Sequence, residues 1–370
     1  MTRPDSFDFQ KIFLENTSLM DVRAPVEFQQ GAFPSSQNIP LLDDEQRKII
    51  GTHYKDQGQD AAIELGLELA TPDIRLQRMA QWTQYIKEHP EGYLYCFRGG
   101  LRSRTTQAWL KEQGINYPLI KGGYKAMRSY LLEQLEVSAQ CLPFFSLGGM
   151  TGSGKTRLLN KTPYKIDLEG LANHRGSAFG SSVDDFQPTQ INWENQLSIA
   201  CLQYRHAFPT AGLLLEDEGK RIGRSVVPLS FHEKMVQAPI IFLECSLEER
   251  IAIIREDYIE KNWPLYEQKY QVDAQEKFSG FVLGNLERIK KRLGGVRYKK
   301  VNTSFSLALE GFFSTGSSEL FNEGIKQLLE EYYDPMYQYQ LSQKQSKLLF
   351  KGSEHEVLAW VDEHLKKERA

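Results

Sequence analysis

The first third of the chain alternates short apolar runs with longer amphipathic segments, a pattern that predicts buried strands separated by helices. The expected strands are 18–23, 93–96 and 118–121, with a polar loop over 24–40. The expected helices are 44–69, 72–88, 101–113 and 124–137. Strands separated by helices in this way are typical of a parallel sheet that is covered on both faces. This part of the chain is therefore predicted to be an α/β domain.

The alternation begins again near residue 140, which predicts a second α/β domain. Its expected strands are 142–147, 212–216 and 239–244. From about residue 277 the pattern becomes helical and charged. We therefore expect a first domain over 1–138, a second over 139–276, and a helical, partly basic extension of the second domain over 277–370. A length of 370 residues agrees with two domains of ordinary size.

Composition narrows the class of protein only slightly. Apolar residues make up 41% and charged residues 25%, as in ordinary soluble globular proteins. The 45 basic and 48 acidic side chains give a net charge of −3, so a nucleic acid would have to be bound by a local patch. The sequence has no signal-peptide pattern and no apolar run of membrane-spanning length. We expect a cytoplasmic protein with no membrane partner.

A glycine-rich segment after the strand 142–147 matches the phosphate-loop pattern G-x-x-x-x-G-K-[ST] at every position. Glycines let successive backbone N–H groups converge on an anion, and the start of the following helix adds positive potential. The lysine of the pattern reaches the outer phosphates, and the last hydroxyl ligates magnesium. The residues predicted to bind phosphate are Gly149, Thr151, Gly152, Ser153, Gly154, Lys155 and Thr156.

Acidic residues at the end of the strand 212–216 are expected to complete this site. Asp217 or Glu218 would hold the metal ion or its water, and we predict that Thr156 and Asp217 are the magnesium ligands. No Asn-Lys-x-Asp signature for a guanine base accompanies the loop. The sequence does not decide whether ATP or GTP binds, and another diphosphate ester is admissible.

Cys96 is the second candidate for chemistry. It ends a strand, and a short loop with two glycines connects it to a helix that begins near Leu101. Backbone N–H groups and nearby arginines favour the thiolate, so we expect the pKa of Cys96 to fall and its nucleophilicity to rise. The residues predicted to cradle an anion are Arg98, Gly99, Gly100 and Arg102. The remaining cysteines, in apolar contexts without clustered arginines, are interpreted as buried structural residues: Cys141, Cys201 and Cys245.

Two chemistries use a loop of this kind. A sulfurtransferase carries sulfur or selenium on the cysteine, and a cysteine phosphatase forms a phosphocysteine in a similar cradle. The spacing from Cys96 to Arg102 and Ser103 also satisfies the phosphatase signature Cys-x5-Arg-Ser. The loop alone leaves both alternatives open.

A basic stretch over 285–300 contains seven basic residues and one acidic residue. Such a cluster can contact nucleic-acid phosphates, with strong salt dependence, although a solvated helix face has the same composition. The candidate contacts are Arg288, Lys290, Lys291, Arg292, Arg297, Lys299 and Lys300.

Taken together, these segments resemble one family. The residues Asp21–Arg23 with Glu27 and Phe28, and then 31–34 and 38–40, are similar to the opening motif of rhodanese domains. Cys96 stands where the rhodanese nucleophile is expected, although the loop is about one residue longer than in simple thiosulfate sulfurtransferases. A rhodanese domain fused to a downstream P-loop domain resembles the tRNA 2-selenouridine synthases. The segments that are also similar to this family are 121–124, 174–180 and 218–223.

The resemblance implies a rhodanese-like parallel sheet domain and a P-loop NTPase-like α/β domain with a helical C-terminal extension. It also implies a tRNA-modifying selenotransferase. In the reaction that the resemblance implies, the sulfur of a wobble 2-thiouridine is geranylated from geranyl diphosphate, and the S-geranyl group is then replaced by selenium from selenophosphate. The implied partners are tRNA carrying 2-thiouridine and an enzyme that produces selenophosphate. The candidate substrate contacts are His174, Arg175 and Arg221.

Two other functions fit the same motifs. One is a cysteine phosphatase of rhodanese fold with a regulatory nucleotide-binding domain. The other is a P-loop kinase or ATPase in which an inactive rhodanese domain serves only for binding. The phosphatase would release phosphate from aryl phosphates and would need Cys96, whereas the kinase or ATPase would turn over ATP without it.

Overall fold

The computed structural model describes residues 3–174 and 186–366, and the chain divides into two compact units. Unit 1 comprises Met1–Ser138 and Thr189–Ala207, and unit 2 comprises Ala139–Pro188 and Phe208–Ala370. The first break therefore falls where the renewed alternation placed it. The second domain is not the continuous segment 139–276 that we expected, because 189–207 belongs to unit 1.

Unit 1 is built on a three-stranded parallel sheet. Its strands are β1 (Leu19–Asp21), β2 (Ser36–Asn38) and β3 (Tyr93–Tyr95), in the order β2-β1-β3. The helices of this part of the chain are Phe9–Leu14, Pro25–Gln30, Asp44–Leu69, Pro72–Glu88, Leu101–Glu112, Gly123–Cys141 and Gln190–Ala207.

The sheet of unit 1 has an apolar core on each face, because successive side chains of a strand point to opposite sides. Met20 and Leu94 pack in one core with Trp82. Leu19 and Tyr95 pack in the other, which also contains residues of the helix Gln190–Ala207. Burial on both faces explains why these strands read as apolar runs and not as alternating ones.

Unit 2 contains a four-stranded parallel sheet and a two-stranded antiparallel ribbon. The sheet strands are β4 (Phe144–Gly149), β5 (Leu213–Glu216), β8 (Ile240–Leu243) and β9 (Leu348–Gly352), in the order β5-β4-β8-β9, and the ribbon strands are β6 (Arg221–Ile222) and β7 (Ser225–Val226). Because β4 and β5 are parallel neighbours, their carboxyl ends lie at the same edge of the sheet. That edge carries both the predicted phosphate loop and the predicted acidic residues.

The rest of unit 2 is mainly helical. Its α-helices are Lys155–Leu159, Leu168–Leu171, Leu229–Gln237, Leu247–Arg255, Trp263–Tyr270, Ala274–Leu293, Gly295–Thr315, Asn322–Leu328, Asp334–Gln343 and Glu354–His364. Two π-helical segments are Glu256–Glu260 and Leu329–Tyr333, and three 3₁₀ turns are Gln271–Asp273, Ser318–Phe321 and Gln345–Lys347. The helices from Leu247 onward enclose an apolar core of their own, which is rich in phenylalanine. Within the described ranges, no helix has the length and apolar character needed to cross a bilayer.

The α/β class, the parallel sheets and the helical C-terminal region are confirmed, and three local predictions are wrong. The extension over 277–370 is not entirely helical, because 348–352 forms β9 at the edge of the main sheet. The loop predicted over 24–40 contains β2. The strand predicted over 118–121 is reduced to isolated bridges, from Leu119 to Leu94 and from Ile120 to Ser6.

Candidate functional site

The glycine-rich loop 149–156 connects β4 to the helix Lys155–Leu159, as predicted. Gly152 and Gly154 have φ angles of +80° and +81°, which residues with a side chain rarely adopt. A Cβ atom on Gly152 would also lie 2.5 Å from the side chain of Ile254. The backbone path of the loop therefore requires glycine at this position.

Two polar side chains of the loop are held by neighbouring groups. The Lys155 ammonium donates a hydrogen bond to the Gly149 carbonyl, over 2.8 Å. The Thr156 hydroxyl donates to a carboxylate oxygen of Glu216, over 2.7 Å. Lys155 is thus held against the backbone of the loop, and Thr156 is held against an acid.

The loop is also anchored from distant parts of unit 2, which sequence reasoning missed. Arg250 donates to the Thr151 carbonyl over 2.8 Å and forms a two-pronged ion pair with Asp334, over 2.5 and 3.0 Å. The Tyr337 hydroxyl accepts a hydrogen bond from the Gly149 amide at 2.9 Å, and burial raises the pKa of Tyr337 to about 12. No local motif marks these residues, because they lie about 100 to 190 positions from the loop.

The acid that contacts Thr156 is Glu216, and not Asp217, which we predicted as the second magnesium ligand. Asp217 instead forms an ion pair with Lys344, at 2.7 and 2.9 Å. Leu147 of β4 is paired with Glu216, which places this acid at the end of β5, where it contacts Thr156. Asp217 directly follows the strand.

Glu216 is buried, and its surroundings favour the neutral acid. Burial, reinforced by the charge of Glu169, raises the pKa of Glu216 to about 8. Burial and the charge of Glu216 together raise the pKa of Glu218 to about 7. Three carboxyl groups therefore meet beside the loop, and a bound cation would relieve their mutual repulsion.

The residues present fit a magnesium ion. Within the described part of the chain, the second carboxylate oxygen of Glu216 is buried and has no hydrogen-bond partner. A threonine hydroxyl, one carboxylate, water and phosphate oxygens are the oxygen donors that Mg²⁺ prefers. No cluster of three His, Cys, Asp or Glu side chains suited to a metal occurs in the described ranges.

The loop opens into a cavity of about 800 Å³ within unit 2. Its polar lining includes the loop residues from Thr151 onward, Glu169, Glu216, Asp217, Glu218 and Arg221. Its apolar lining includes Ile253, Ile254, Ile259, Phe281, Val282, Phe305, Ile325, Leu328, Leu329 and Met336. The cavity thus brings the glycine-rich loop and a set of apolar side chains into one site.

The predicted substrate contacts are only partly placed. Arg221 lines the cavity, and so does Arg292 from the basic stretch. The backbone amide of His174 donates to the carbonyl of Glu169 over 3.1 Å, at the end of the short helix Leu168–Leu171. Arg175 lies outside the described residues.

The cysteine loop of unit 1 is held by the segment 121–124. The Cys96 carbonyl accepts a hydrogen bond from the Tyr124 amide over 2.9 Å, and the Phe97 carbonyl accepts one from Lys125 over the same distance. Gly123 has a φ of +58°, and a Cβ atom there would lie 2.3 Å from the Cys96 carbonyl oxygen and 2.4 Å from the Gly99 amide. The two motifs that the sequence showed separately thus form one structure.

One of the two arginines predicted to cradle an anion is already paired with a carboxylate. Arg102 forms an ion pair with Glu27, at 2.5 and 3.2 Å. Burial would raise the pKa of Glu27, but the hydrogen bond and charge of Arg102 outweigh it, so this pKa is lowered. Arg98 is exposed, and no carboxylate of the described residues lies within ion-pair distance of it. Gly100 has open space around its α-carbon, so the loop is accessible at that point.

The rhodanese-like opening motif, which includes Asp21 and Arg23, stabilises the segment that holds the cysteine loop. Asp21 and Arg23 form a buried ion pair at 2.6 Å, and Arg23 also donates to the Gly31 carbonyl at 2.8 Å. The Arg23 guanidinium lies 3.9 Å from the centre of the Tyr124 ring. The motif therefore packs against Tyr124, whose amide bonds the cysteine loop.

Cys96 is 3% exposed and lines a second cavity, of about 1020 Å³, within unit 1. One wall is the helix Asp44–Leu69, and another is the cysteine loop with the start of the helix Leu101–Glu112. Among the other cysteines, Cys201 is buried, and burial together with Glu249 raises the pKa of Cys245 to about 11. The interpretation of Cys141 as a buried residue is wrong, because it is exposed.

The basic stretch spans the end of the helix Ala274–Leu293 and the start of the helix Gly295–Thr315. All seven basic residues are exposed. Lys290 pairs with Glu287 at 2.7 Å, and Lys300 pairs with Glu331 at 2.6 Å. Lys291 and Lys299 form no ion pair with a carboxylate of the described residues. Their charges are therefore available to a polyanion.

These features define a class of protein: an enzyme with a glycine-rich loop beside an acid in one α/β unit and a cysteine loop in another. Residues 142–368 match the family model described as the tRNA 2-selenouridine synthase AAA domain. A tRNA 2-selenouridine synthase from Marinobacter nauticus is 48% identical over 97% of this chain and 98% of that protein. Those from Alcanivorax borkumensis and Shewanella woodyi are each 45% identical, over 97% and 96% of this chain and 99% and 96% of theirs. The chain belongs to the tRNA 2-selenouridine synthase family, which confirms the resemblance and the prediction of an enzyme.

Proposed function

We propose that this enzyme converts wobble 2-thiouridine of tRNA into 2-selenouridine in two steps. The sulfur is first geranylated from geranyl diphosphate, and the S-geranyl group is then replaced by selenium from selenophosphate. The relatives' names support the overall reaction. The observation that supports the geranyl step is the cavity of unit 2, which joins the glycine-rich loop to an apolar region.

The unit 2 cavity suits an amphiphilic diphosphate. The loop amides and Lys155 would hold the diphosphate, as in other anion sites formed by glycine-rich loops. Phe281, Val282 and Phe305 would cover the prenyl chain, and each methylene removed from water contributes about 0.8 kcal/mol. A volume of about 800 Å³ is in the usual range for sites that enclose a small molecule.

In the first step, the sulfur of 2-thiouridine forms a bond to C1 of the geranyl group as the bond from C1 to the diphosphate oxygen breaks. The diphosphate leaves with the electron pair, and the base loses its N3 proton to solvent. Lys155 stabilises the charge that develops on the leaving oxygen. Mg²⁺, held by Thr156 and Glu216, would neutralise further negative charge on the diphosphate.

In the second step, the selenium of selenophosphate, held at the cysteine loop, bonds to C2 of the base, the C2–S bond breaks, and the geranyl thiolate leaves. Water then cleaves the bond between selenium and phosphorus, so that phosphate leaves and selenium stays on C2. Alkylation makes the displacement possible because it converts the sulfur into a better leaving group. Cys96 is the catalytic residue proposed for this selenium transfer, and the tRNA is proposed to contact the basic stretch through its phosphates.

The test is to incubate the protein with 2-thiouridine tRNA, geranyl diphosphate and selenophosphate and to analyse the nucleosides by mass spectrometry. Lys155→Ala should lose geranylation and still selenate tRNA that was geranylated beforehand. Cys96→Ser should accumulate the geranylated nucleoside. Absence of both modified nucleosides with the unaltered enzyme would contradict the proposal, and so would the reverse pattern in the two variants.

The same preparations distinguish the rival functions. A phosphatase would release phosphate from aryl phosphates, and Cys96→Ser would abolish that release. A kinase or ATPase would turn over ATP whether or not Cys96 is present. Either result, without nucleoside modification, would replace the proposed function.

A further inference from the structure

We propose that the cavity beside Cys96 binds the geranyl group of the S-geranylated nucleoside, so that unit 1 recognises the intermediate by its hydrocarbon chain. This inference rests on the proposed function and extends it to a second prenyl site. The cavity belongs entirely to unit 1 and shares no residue with the cavity of the glycine-rich loop.

The composition of the cavity wall is the first argument. Besides Cys96, its lining includes nine apolar or aromatic side chains: Leu41, Leu42, Ile50, Tyr54, Ile63, Leu67, Phe97, Leu101 and Trp109. A site that served only a small selenium anion would gain nothing from such a wall, since apolar groups do not solvate charge. A ten-carbon chain gains free energy from every apolar contact that it makes.

The exposure of this wall is the second argument. Tyr54 is 54% exposed, Leu67 58% and Leu101 49%. All three lie on the two helices that flank the cysteine loop, Asp44–Leu69 and Leu101–Glu112. Apolar side chains left open to water around a reactive residue are typical of a binding site for an apolar group.

The charge around the cavity is the third argument, and it indicates what carries the hydrocarbon chain. Glu27 is the acidic residue among the lining. Six basic residues also line the cavity: Arg47, Lys48, Lys55, Arg98, Arg102 and Arg104. A cationic rim around an apolar wall complements an RNA strand that presents one prenylated base. A free lipid or an apolar peptide would match the wall but not the rim.

This arrangement would give the two steps their order. RNA that still carries 2-thiouridine would contact the rim but not the wall, so it would bind weakly beside Cys96. The geranylated RNA would contact both. After the C2–S bond breaks, the geranyl thiolate would be left in the apolar cavity, separate from the selenated base.

The experiment compares the binding of two anticodon stem–loop RNAs that differ only in the wobble base. One carries 2-thiouridine and the other carries chemically prepared S-geranyl-2-thiouridine, and dissociation constants are measured by fluorescence anisotropy with the full chain. The geranylated RNA should bind about ten-fold more tightly, because covering a few methylenes supplies a free energy of that order. Leu67→Ser should reduce this preference to about three-fold or less.

Two matched variants serve as controls. Leu76 is 72% exposed and lies on the neighbouring helix Pro72–Glu88, outside the cavity, so Leu76→Ser should keep the full preference. Met336 is 38% exposed and lines the unit 2 cavity, and Met336→Ser should also keep it. All three sites are exposed enough that folding should be unaffected, which circular dichroism checks.

Three outcomes would overturn the inference: equal binding of the two RNAs, a preference that Leu67→Ser leaves intact, or a preference that only Met336→Ser removes. The last would place the geranyl chain in unit 2. Because the RNA is prepared chemically, this test does not depend on geranylation by the enzyme. An enzyme that carries out both steps but shows no preference would disprove the second prenyl site and leave the proposed function standing.

Discussion

The substitution Glu216→Gln tests the acid that the structure places beside the glycine-rich loop. Glutamine keeps the shape of the side chain and can still accept the Thr156 hydrogen bond, but it cannot ionise. Burial raises the pKa of Glu216 to about 8, whereas in the unfolded chain its pKa should lie near 4.3. The folded protein therefore binds the proton more tightly than the unfolded chain does.

The sign of the pH effect follows from this difference. Between these two pKa values, the folded state carries more protons than the unfolded state, so the free energy of unfolding falls as pH rises. The contribution of Glu216 is fully present below about pH 4 and is lost as pH passes 8. From pH 6 to pH 8 the loss should be roughly 2 kcal/mol. Glu218, whose pKa is raised to about 7, adds to the same trend.

The assay is urea denaturation of the ligand-free protein at pH 6 and pH 8, followed by circular dichroism. Glu216→Gln should remove most of the difference in the free energy of unfolding between the two pH values and should be the more stable form at pH 8. Asp217→Asn is the matched control, because it removes the adjacent carboxylate that pairs with Lys344. It should lower stability at both pH values and keep the slope. An unchanged slope in Glu216→Gln would refute the reasoning.

Three further predictions follow from other contacts. Arg250→Ala should lower the free energy of unfolding by about 3 kcal/mol, measured by urea denaturation, because it leaves Asp334 half-buried without its partner; a loss below 1 kcal/mol would contradict this. Gly123→Ala should abolish selenation of geranylated tRNA in the nucleoside assay, because its Cβ would overlap the cysteine loop, whereas Gly114→Ala, with φ of +76° and open space, should cost only about 1 kcal/mol and keep activity. Lys299→Ala should reduce the salt dependence of tRNA binding by about one unit of slope in a log–log plot, and the same change at Lys277, on the preceding helix, should have no effect.

The two loops could be predicted because each is encoded in a few consecutive residues. Gly149–Thr156 specifies its own backbone through its glycines, and Cys96 with the following residues does the same. Their supports could not be predicted in this way. Arg250 and Tyr337 reach the loop only after the chain has folded, and no local spacing relates them to it.

The errors have the same physical origin. Glu216 and Asp217 are adjacent acids, and no local pattern shows that Glu216 is the one that contacts Thr156. The strand β9 is short and lies in a helical region, and it forms because it pairs with β8 at the sheet edge. The segment 189–207 was predicted with unit 2 by its position in the sequence, but it packs in the core of unit 1.

The helix Asp334–Gln343 has a consequence for how this chain can be divided. It holds the glycine-rich loop at Gly149 through Tyr337 and at Thr151 through Asp334 and Arg250. A fragment ending near residue 276, where the alternation of strands and helices stops, would contain the whole loop sequence and Arg250, but it would lack Tyr337 and Asp334, the ion-pair partner of Arg250. The helix Asp334–Gln343 is therefore part of the structure that holds the glycine-rich loop rather than part of a removable tail.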